Sequence, residues 1–256
     1  MSPTLEKLSP WLFTIGMFVL WELVCRIFKI DTFVLPAPSQ IFQAVGQYWL
    51  PLTKNAFVTL WTTLAGFALA VAFGIVLGII MGWSRAIYRG LYPVMIGFNS
   101  VPKVAVVPIL IIWFGIGIVP AVLTAFLISF FPIVVNVATG LASMEPELED
   151  VLRALGAKKL DIMLKVGIPR TQPYLFGSLK VAITLAFIGA VMSETIGANA
   201  GLGHLMVQAG SNFQMPLVFA CLLGLAVEGI VMYAVFAYVE TYFTGWAFRS
   251  SMSAAA

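Results

Sequence analysis

Charge is scarce in this sequence. Only 10% of its 256 residues are Asp, Glu, Lys or Arg and 61% are hydrophobic, whereas globular chains average about 25% charged. A water-soluble core cannot hide so much apolar surface, so the chain reads as a membrane protein. Histidine occurs once, at His204, which argues against a histidine-based metal centre, and no metal ligands are expected. The two cysteines, Cys25 and Cys221, lie in apolar runs and outline no disulfide framework. No phosphate-binding G-x-x-x-x-G-K-S/T loop is present, so ATP is not expected to bind this chain in that manner. The run Gly197 to Gly203 is glycine-rich, but neither a lysine nor a hydroxyl follows it as a phosphate loop requires; it reads as an extracellular turn or re-entrant segment. H-E-x-x-H and G-x-S-x-G are also missing, which leaves a membrane hydrolase without support and no residue assigned to catalysis. The bases mark topology, as set out below, and no nucleic-acid partner is expected.

The charge that exists is concentrated. Glu145 to Pro173 is the one long polar interval, with five acids (Glu145, Glu147, Glu149, Asp150, Asp161) and five bases (Arg153, Lys158, Lys159, Lys165, Arg170). Leu148, Val151, Leu152 and Leu155 recur at i, i+3, i+4 and i+7, one apolar stripe of a short helix. Pro146 opens that helix, Gly156 ends it, and the acids sit in its first turns, where the helix dipole favours them. After the Gly156-Ala157 turn, Leu160, Met163, Leu164 and Gly167 repeat the spacing until Pro169, which is expected to halt a second helix. The result is a compact plug of two amphipathic helices.

Around it lie the apolar runs. A first span is expected over about residues 11–27, given that ~20 residues cross a bilayer. A cleaved leader is disfavoured, because Glu22 and Arg26 interrupt the end of the run and no small-x-small site follows. Leu35-Pro36-Ala37-Pro38-Ser39 breaks the chain, with Ser39 as expected N-cap of an interfacial helix over 39–50. That helix is expected to lie flat, with Ile41, Phe42, Val45, Tyr48 and Trp49 on one face. Further spans are expected over 57–83, 91–113, 119–141, 174–196 and 216–240. The first of these carries Gly66, Gly74, Gly78 and Gly82 on one face, a spacing that lets helices approach closely in lipid. The second is interrupted by Pro93, Pro102 and Pro108 and charged by Lys103, and a broken helix is tolerated only where protein or a water-filled cavity covers it. The fold class expected is an all-α membrane protein with six transmembrane helices in a single domain over 1–256.

Orientation follows from the bases. With both termini cytoplasmic, Lys7, Arg85, Arg89, the five bases of the plug and Arg249 lie inside, and only Arg26, Lys29 and Lys54 outside. The interval 197–215 has neither lysine nor arginine, as an outer loop should.

At membrane depth each ionisable side chain costs about 3 kcal/mol on insertion scales and so faces a cavity or a partner. Asn99, Lys103, Asn136, Ser193, Glu194 and Glu228 are the candidates for a translocation pathway. Lys103 beside the proline breaks either attracts an anion or pairs with Glu194 or Glu228 to hold helices together; for Glu228 pairing is the expected role. Lys180 is expected to snorkel to the cytoplasmic surface.

The polar interval resembles the cytoplasmic loop of ATP-binding-cassette importer permeases. Asp150-Val151-Leu152, Gly156 and Val166-Gly167-Ile168-Pro169 stand in the register of that family's Glu-Ala-Ala, glycine and Ile-x-Leu-Pro. Glycine and proline keep their spacing, while Asp-Val-Leu departs from Glu-Ala-Ala. Residues 35–43 (LPAPSQIFQ), 102–117 (PKVAVVPILIIWFGIG), 131–141 (FPIVVNVATGL) and 193–204 (SETIGANAGLGH) are similar to permeases of the nitrate, sulfonate, taurine and bicarbonate branch.

The resemblance implies a type I importer permease, with a coupling helix in the loop that docks on an ATPase. Leu152, Leu155 and Ala157 would be its apolar contacts, Gly156 its turn, and Arg153 and Lys158 its polar contacts. Asp150 and Pro169 mark the ends of the motif. It further implies two ATPase subunits carrying ATP and Mg, a periplasmic or lipid-anchored extracellular substrate-binding protein, a second permease copy in a homodimer, and an inner-membrane location amid lipid. The solute would be an oxyanion, a sulfonate or another small organic acid. The residues alone also allow the plug to be a linker resting on the bilayer. The competing function is a secondary carrier driven by an ion gradient, but such proteins show paired repeats of broken helices. No second copy of the plug or of the Lys103 segment is visible.

Overall fold

A computed structural model describes residues 3–253, with side chains except those of residues 3–8, 10, 11, 85, 146 and 245–253. The side chains of Lys7, Arg85, Pro146 and Arg249, used above for topology and helix punctuation, thus lie outside the described residues, as do the terminal residues themselves. Every regular element among the described residues is helical. The sequence builds α1 (Pro3–Ile27), α2 (Pro38–Gln47), α3 (Trp49–Gly82), α4 (Arg85–Ser100), α5 (Val107–Phe114) and α6 (Ile118–Ala142). Then come α7 (Pro146–Ala154), α8 (Lys159–Ile162), α9 (Ile168–Gly197), α10 (Leu202–Ser211) and α11 (Met215–Ser253).

The stretches containing α3, α6, α9 and α11 are each long and apolar enough to cross a membrane, and α4 with α5 makes a fifth if counted as one bent span. The two halves of that span meet at 74°. The break falls at Val101 and Pro102 and is followed by a 3₁₀ turn, Lys103–Val106. Pro93 lies inside α4 and Pro108 in the first turn of α5, so Pro102 alone makes the break. The span expected over 11–27 falls within α1, 25 residues long, which is not among the helices that meet this measure of length and apolarity.

Close packing of α3 on α6 forms the centre. A Cβ on Gly74 would lie 2.8 Å from Ile133 Cβ, one on Gly78 2.6 Å from Val137 Cβ and one on Gly82 2.7 Å from Leu141 Cβ, so no side chain fits at these crossings. Partner numbers rise in step with the glycines, and the two helices therefore run parallel and in register. Helix α9 runs the other way along α6: Gly140 meets Thr171 near one end, and Gly189 meets the Ala125 backbone near the other. Ile133, Val134, Val137, Ala138, Ala182, Ile183 and Ala186 fill the interior of this three-helix block and are almost completely buried. In lipid no hydrophobic force draws helices together, so such backbone approach and the dispersion contacts it permits supply the cohesion.

A second core lies at one end, where Ile41 and Ala44 of α2 pack with Leu202, Leu205 and Ala209 of α10 and Leu217, Ala220 and Cys221 of α11. Helix α2 is therefore partly built into the protein instead of lying flat on a bilayer; of its expected apolar face Ile41 is buried, while Phe42 and Trp49 are exposed. Ser39 is not its N-cap. Ala37 occupies that position, with the Gln40 side chain accepting from the Ala37 N–H at 3.0 Å, and Ser39 instead donates its hydroxyl to Glu22 of α1 at 2.9 Å. Pro38, lacking an N–H, takes the first helical position, and the cap lies two residues earlier than expected.

The glycine contacts make a direct prediction. Gly78→Leu should cost about 1–3 kcal/mol through overpacking against Val137, and should lower the melting temperature of the purified protein. Gly46→Ala, where nothing lies within 4 Å of the added Cβ and alanine suits a helix better than glycine, should not lower it. Equal melting temperatures for both variants would show that α3 and α6 are not in backbone contact.

Candidate functional site

The polar loop forms a knob at the end of the α3–α6–α9 block. Helix α7 carries Glu147 and Glu149 in its first turn and Arg153 in its last, and Arg153 donates to Glu149 one turn back. Its C-terminus closes through Gly156 N–H to Arg153 O (2.9 Å) and Ala157 N–H to Leu152 O (3.0 Å), with Gly156 at φ +88°. This is the left-handed turn that a glycine supplies without strain, as the sequence led one to expect. The apolar stripe divides: Leu148 and Leu152 are half-buried, whereas Leu155 is 79% exposed and Val151 56%. Among the residues expected to make apolar contacts, Leu155 therefore projects furthest and Leu152 and Ala157 are half-buried; Val151, Leu160 and Leu164, placed on the apolar stripes by the sequence but not among those contacts, are exposed neighbours. Asp150, Arg153 and Lys158 are exposed around them.

The second half of the knob is not a separate helix. Helix α8 is one turn, and Met163–Gly167 continues it as a π-helical turn in which Ile168 N–H donates to Met163 O, five residues back. Pro169 then sits in the first turn of α9 and does not halt the chain. The wider π turn accommodates a residue that has no N–H to give and whose ring crowds the preceding carbonyls. The polar knob is in this way continuous with α9. Two further contacts fix it: Lys159 Nζ lies 5.1 Å from the centre of the Trp83 ring at the end of α3, and Arg170 pairs with Glu145 at 3.5 Å. A cavity of about 530 Å³ opens between the α3–α4 junction and α7, lined by Trp83, Tyr88, Arg89, Asp150, Arg153 and Lys159 among others.

The polar groups at membrane depth do not form one site. Lys103 Nζ donates to Asn99 O (2.6 Å) and Asn99 Oδ1 (2.8 Å), one turn back across the helix break, and does not pair with Glu194 or Glu228. Its hydrogen-bond partners are neutral, its ammonium lies 6.0 Å from the centre of the Phe98 ring, and no carboxylate pairs with it among the described residues. Asn136 donates to Pro132 O at 2.8 Å within α6, a local bond beside the proline, and is half-buried. Ser193 Oγ and both oxygens of Glu228 are buried without a hydrogen-bond partner among the described residues, so Glu228 does not make the pairing expected of it. Lys180 pairs with Glu240 of α11 at 2.5 Å and ties α9 to α11.

Glu194 is the best-satisfied of these groups. It is 2% exposed and accepts from Thr59 Oγ1 (2.9 Å), Thr62 Oγ1 (3.4 Å) and Gly203 N–H (3.0 Å). The Thr59 hydroxyl also accepts from Leu202 N–H (2.8 Å), and Asn55 Oδ1 accepts from Gly201 N–H (2.8 Å). The start of α10, expected to be a turn or re-entrant segment, is thus an ordered helix end seated on a buried carboxylate, where helix dipole and free N–H groups favour negative charge. A side chain at Gly201 or Gly203 would run into that carboxylate. Asn55, Thr59 and Thr62 were not singled out from the sequence, although their i, i+4, i+7 spacing inside an apolar span is a readable polar stripe.

Comparison with known proteins agrees with this architecture. The sequence profile described as "Binding-protein-dependent transport system inner membrane component" matches residues 74–244. The chain is 33% identical over 251 residues to the formylaminopyrimidine transport permease protein ThiX of Halalkalibacterium halodurans, covering 96% of this chain and 98% of that protein. It is 31% identical to the riboflavin transport system permease protein RibX of Chloroflexus aurantiacus, over 90% of this chain and 87% of that protein. To the nitrate import permease protein NrtB of Synechococcus elongatus it is 28% identical, over 90% and 89% of the two. In fold it is similar to a chain of the inward-facing MetNI methionine ABC transporter, with a TM-score of 0.65 at 20% identity, covering 78% of this chain and 98% of that one. An all-helical membrane block with a glycine-turned polar knob, matched along most of its length by these permeases, belongs to the binding-protein-dependent transport system inner membrane components, the permease family of ATP-binding-cassette importers.

Proposed function

We propose that the chain is the pathway-forming subunit of an ATP-driven importer, paired with a second copy and carrying two ATPase subunits on its polar knobs. The observation that carries this reading is α7: a short helix with Val151 and Leu155 exposed, charged residues around them, and a firm glycine turn behind them. An exposed apolar pair at the tip of a rigid charged element fits a docking knob better than a linker, which would bury those residues in lipid headgroups. The chain contributes no ATP chemistry; ATP and Mg belong to the partner ATPase.

Orientation follows from the bases. Arg89 and the five bases of the knob gather at one end of the block, and Arg26, Lys29 and Lys54 belong to the other, which makes the knob cytoplasmic by the positive-inside rule and both termini cytoplasmic. The α10 end then faces outward, where a substrate-binding protein delivers a small solute. Asn99 and Lys103, exposed or half-buried at the 74° break, are the groups we assign to the pathway. The Lys103 charge, which no carboxylate pairs with among the described residues, favours an anionic solute such as an oxyanion, a sulfonate or a small organic acid. Glu194 is satisfied by the protein itself and is not assigned to the pathway.

Two outcomes are expected. Purified with the ATPase encoded nearest to it, the permease should run at the native mass of two permeases plus two ATPases, and Leu155→Asp should release the ATPase while the permease stays folded. A permease that purifies alone, with Leu155→Asp changing nothing, would reduce α7 to a surface linker. In vesicles, uptake should require ATP and survive an ionophore; uptake that persists without ATP and collapses with the ionophore would instead mark a gradient-driven carrier.

A further inference from the structure

The knob and the α10 end sit at opposite ends of one helix. Helix α9 leaves the coupling segment through the π turn without a break and runs to Gly197; Glu194 lies 26 residues beyond Ile168, roughly 39 Å at 1.5 Å per residue. At its far end the helix is joined to α10 by more than the connecting chain. Gly201, Leu202 and Gly203 direct three consecutive N–H groups onto Asn55, Thr59 and Glu194, and Thr59 and Thr62 donate into the same carboxylate. Because the carboxylate is buried, these bonds are unscreened by solvent and mutually dependent. A displacement of α10 cannot break one of them alone.

The glycines leave no slack either, since the carboxylate fills the space where side chains at 201 and 203 would stand. Helix α10 meanwhile keeps Val207, Gln208 and Ser211 exposed, followed by exposed Asn212 and Phe213. Phe213 holds φ +57°, a conformation costly for a bulky residue, and its ring packs against Phe33 with centroids 5.6 Å apart. One face of α10 is therefore presented to the exterior while its N-terminus is bolted to α3 and α9.

We propose that Glu194 is a positioning residue that makes α10, α3 and α9 move as one body, so that engagement of a substrate-binding protein at the α10 end is transmitted along α9 to the ATPase on the knob. The proposal rests on the importer reading given above. Docking itself is performed by the exposed face of α10, and Glu194 acts only by holding that helix to the transmitting one.

The test is ATP hydrolysis by the complete permease–ATPase complex in nanodiscs, titrated with the solute-loaded binding protein encoded beside it. Glu194→Ala should retain the basal rate and the half-saturating concentration of binding protein, but the maximal stimulation should fall about tenfold, within the usual range of coupling between sites. Glu194→Gln, which keeps one acceptor oxygen, should recover part of the stimulation, and Thr62→Val, which removes the longest bond, should lose less than Glu194→Ala. If Glu194→Ala fails to assemble, Glu194→Gln and Thr62→Val decide. Full stimulation in these variants would overturn the proposal. So would a parallel loss of basal and stimulated rates with a lower melting temperature, which is the signature of a purely structural carboxylate. Failure of the wild-type permease to bind the ATPase or to respond to any binding protein would instead overturn the importer reading itself.

Discussion

Backbone contact between α3 and α6 is the constraint on which the structure depends. Gly74, Gly78 and Gly82 meet Ile133, Val137 and Leu141 with no room for a side chain, so the two helices lie as close as helices can. Lipid tails are as apolar as leucine and give no driving force for association, so this closeness supplies the cohesion that burial supplies in water. Once α3 and α6 are locked in register, α9 has a single continuous groove to occupy. Its small residues Ala182, Ala186, Gly189 and Ala190 are buried there. The polar knob then takes its position from two helices at once, from α3 through Lys159 on Trp83 and from α9 through Arg170 on Glu145 and the π turn.

With no solvent available, polar groups inside such a block find partners in the protein or go without, as Ser193 Oγ and the Glu228 oxygens do among the described residues. Two different solutions appear. Asn136 and Lys103 bond to acceptors one turn back on their own chain segment, which leaves them independent of the rest of the fold. Glu194 and Lys180 bond across helices, to α3 and α10 in one case and to α11 in the other. The first kind can be exposed in a pathway without loosening the bundle; the second kind joins elements that then have to move together. On the proposed function, the division between pathway and frame follows from where each group finds its partner.

Much of this was legible in the sequence. Apolar runs located the membrane helices, the four- and eight-residue glycine spacing foretold the α3 contact face, and the stripe ending at Gly156 foretold α7 and its turn. What escaped was whatever depends on a neighbour distant in sequence. Pro169 reads as a terminator, because nothing local shows that a π turn precedes it. Helix α10 reads as a loop, since its start is glycine-rich and uncharged, and the carboxylate that orders it comes from α9. Lys103 and the acids looked like partners only because sequence shows that charges share a depth and not which side of a helix they face. Asn55, Thr59 and Thr62 could have been found, because a polar stripe at helical spacing within an apolar span asks for a buried partner.

The account stands most directly on whether the coupling segment and the α10 end belong to one rigid unit. Spin labels at Lys165→Cys and Gln208→Cys, both exposed positions, with the native Cys25 and Cys221 buried, would report this by pulsed electron resonance in the assembled transporter. One doubly labelled copy paired with an unlabelled one should give the same distance with and without ATP, while labels at Lys165 on both copies should change their separation. A label distance that changes within one copy on addition of ATP would contradict the account, for α9 would then bend instead of carrying motion from one end to the other.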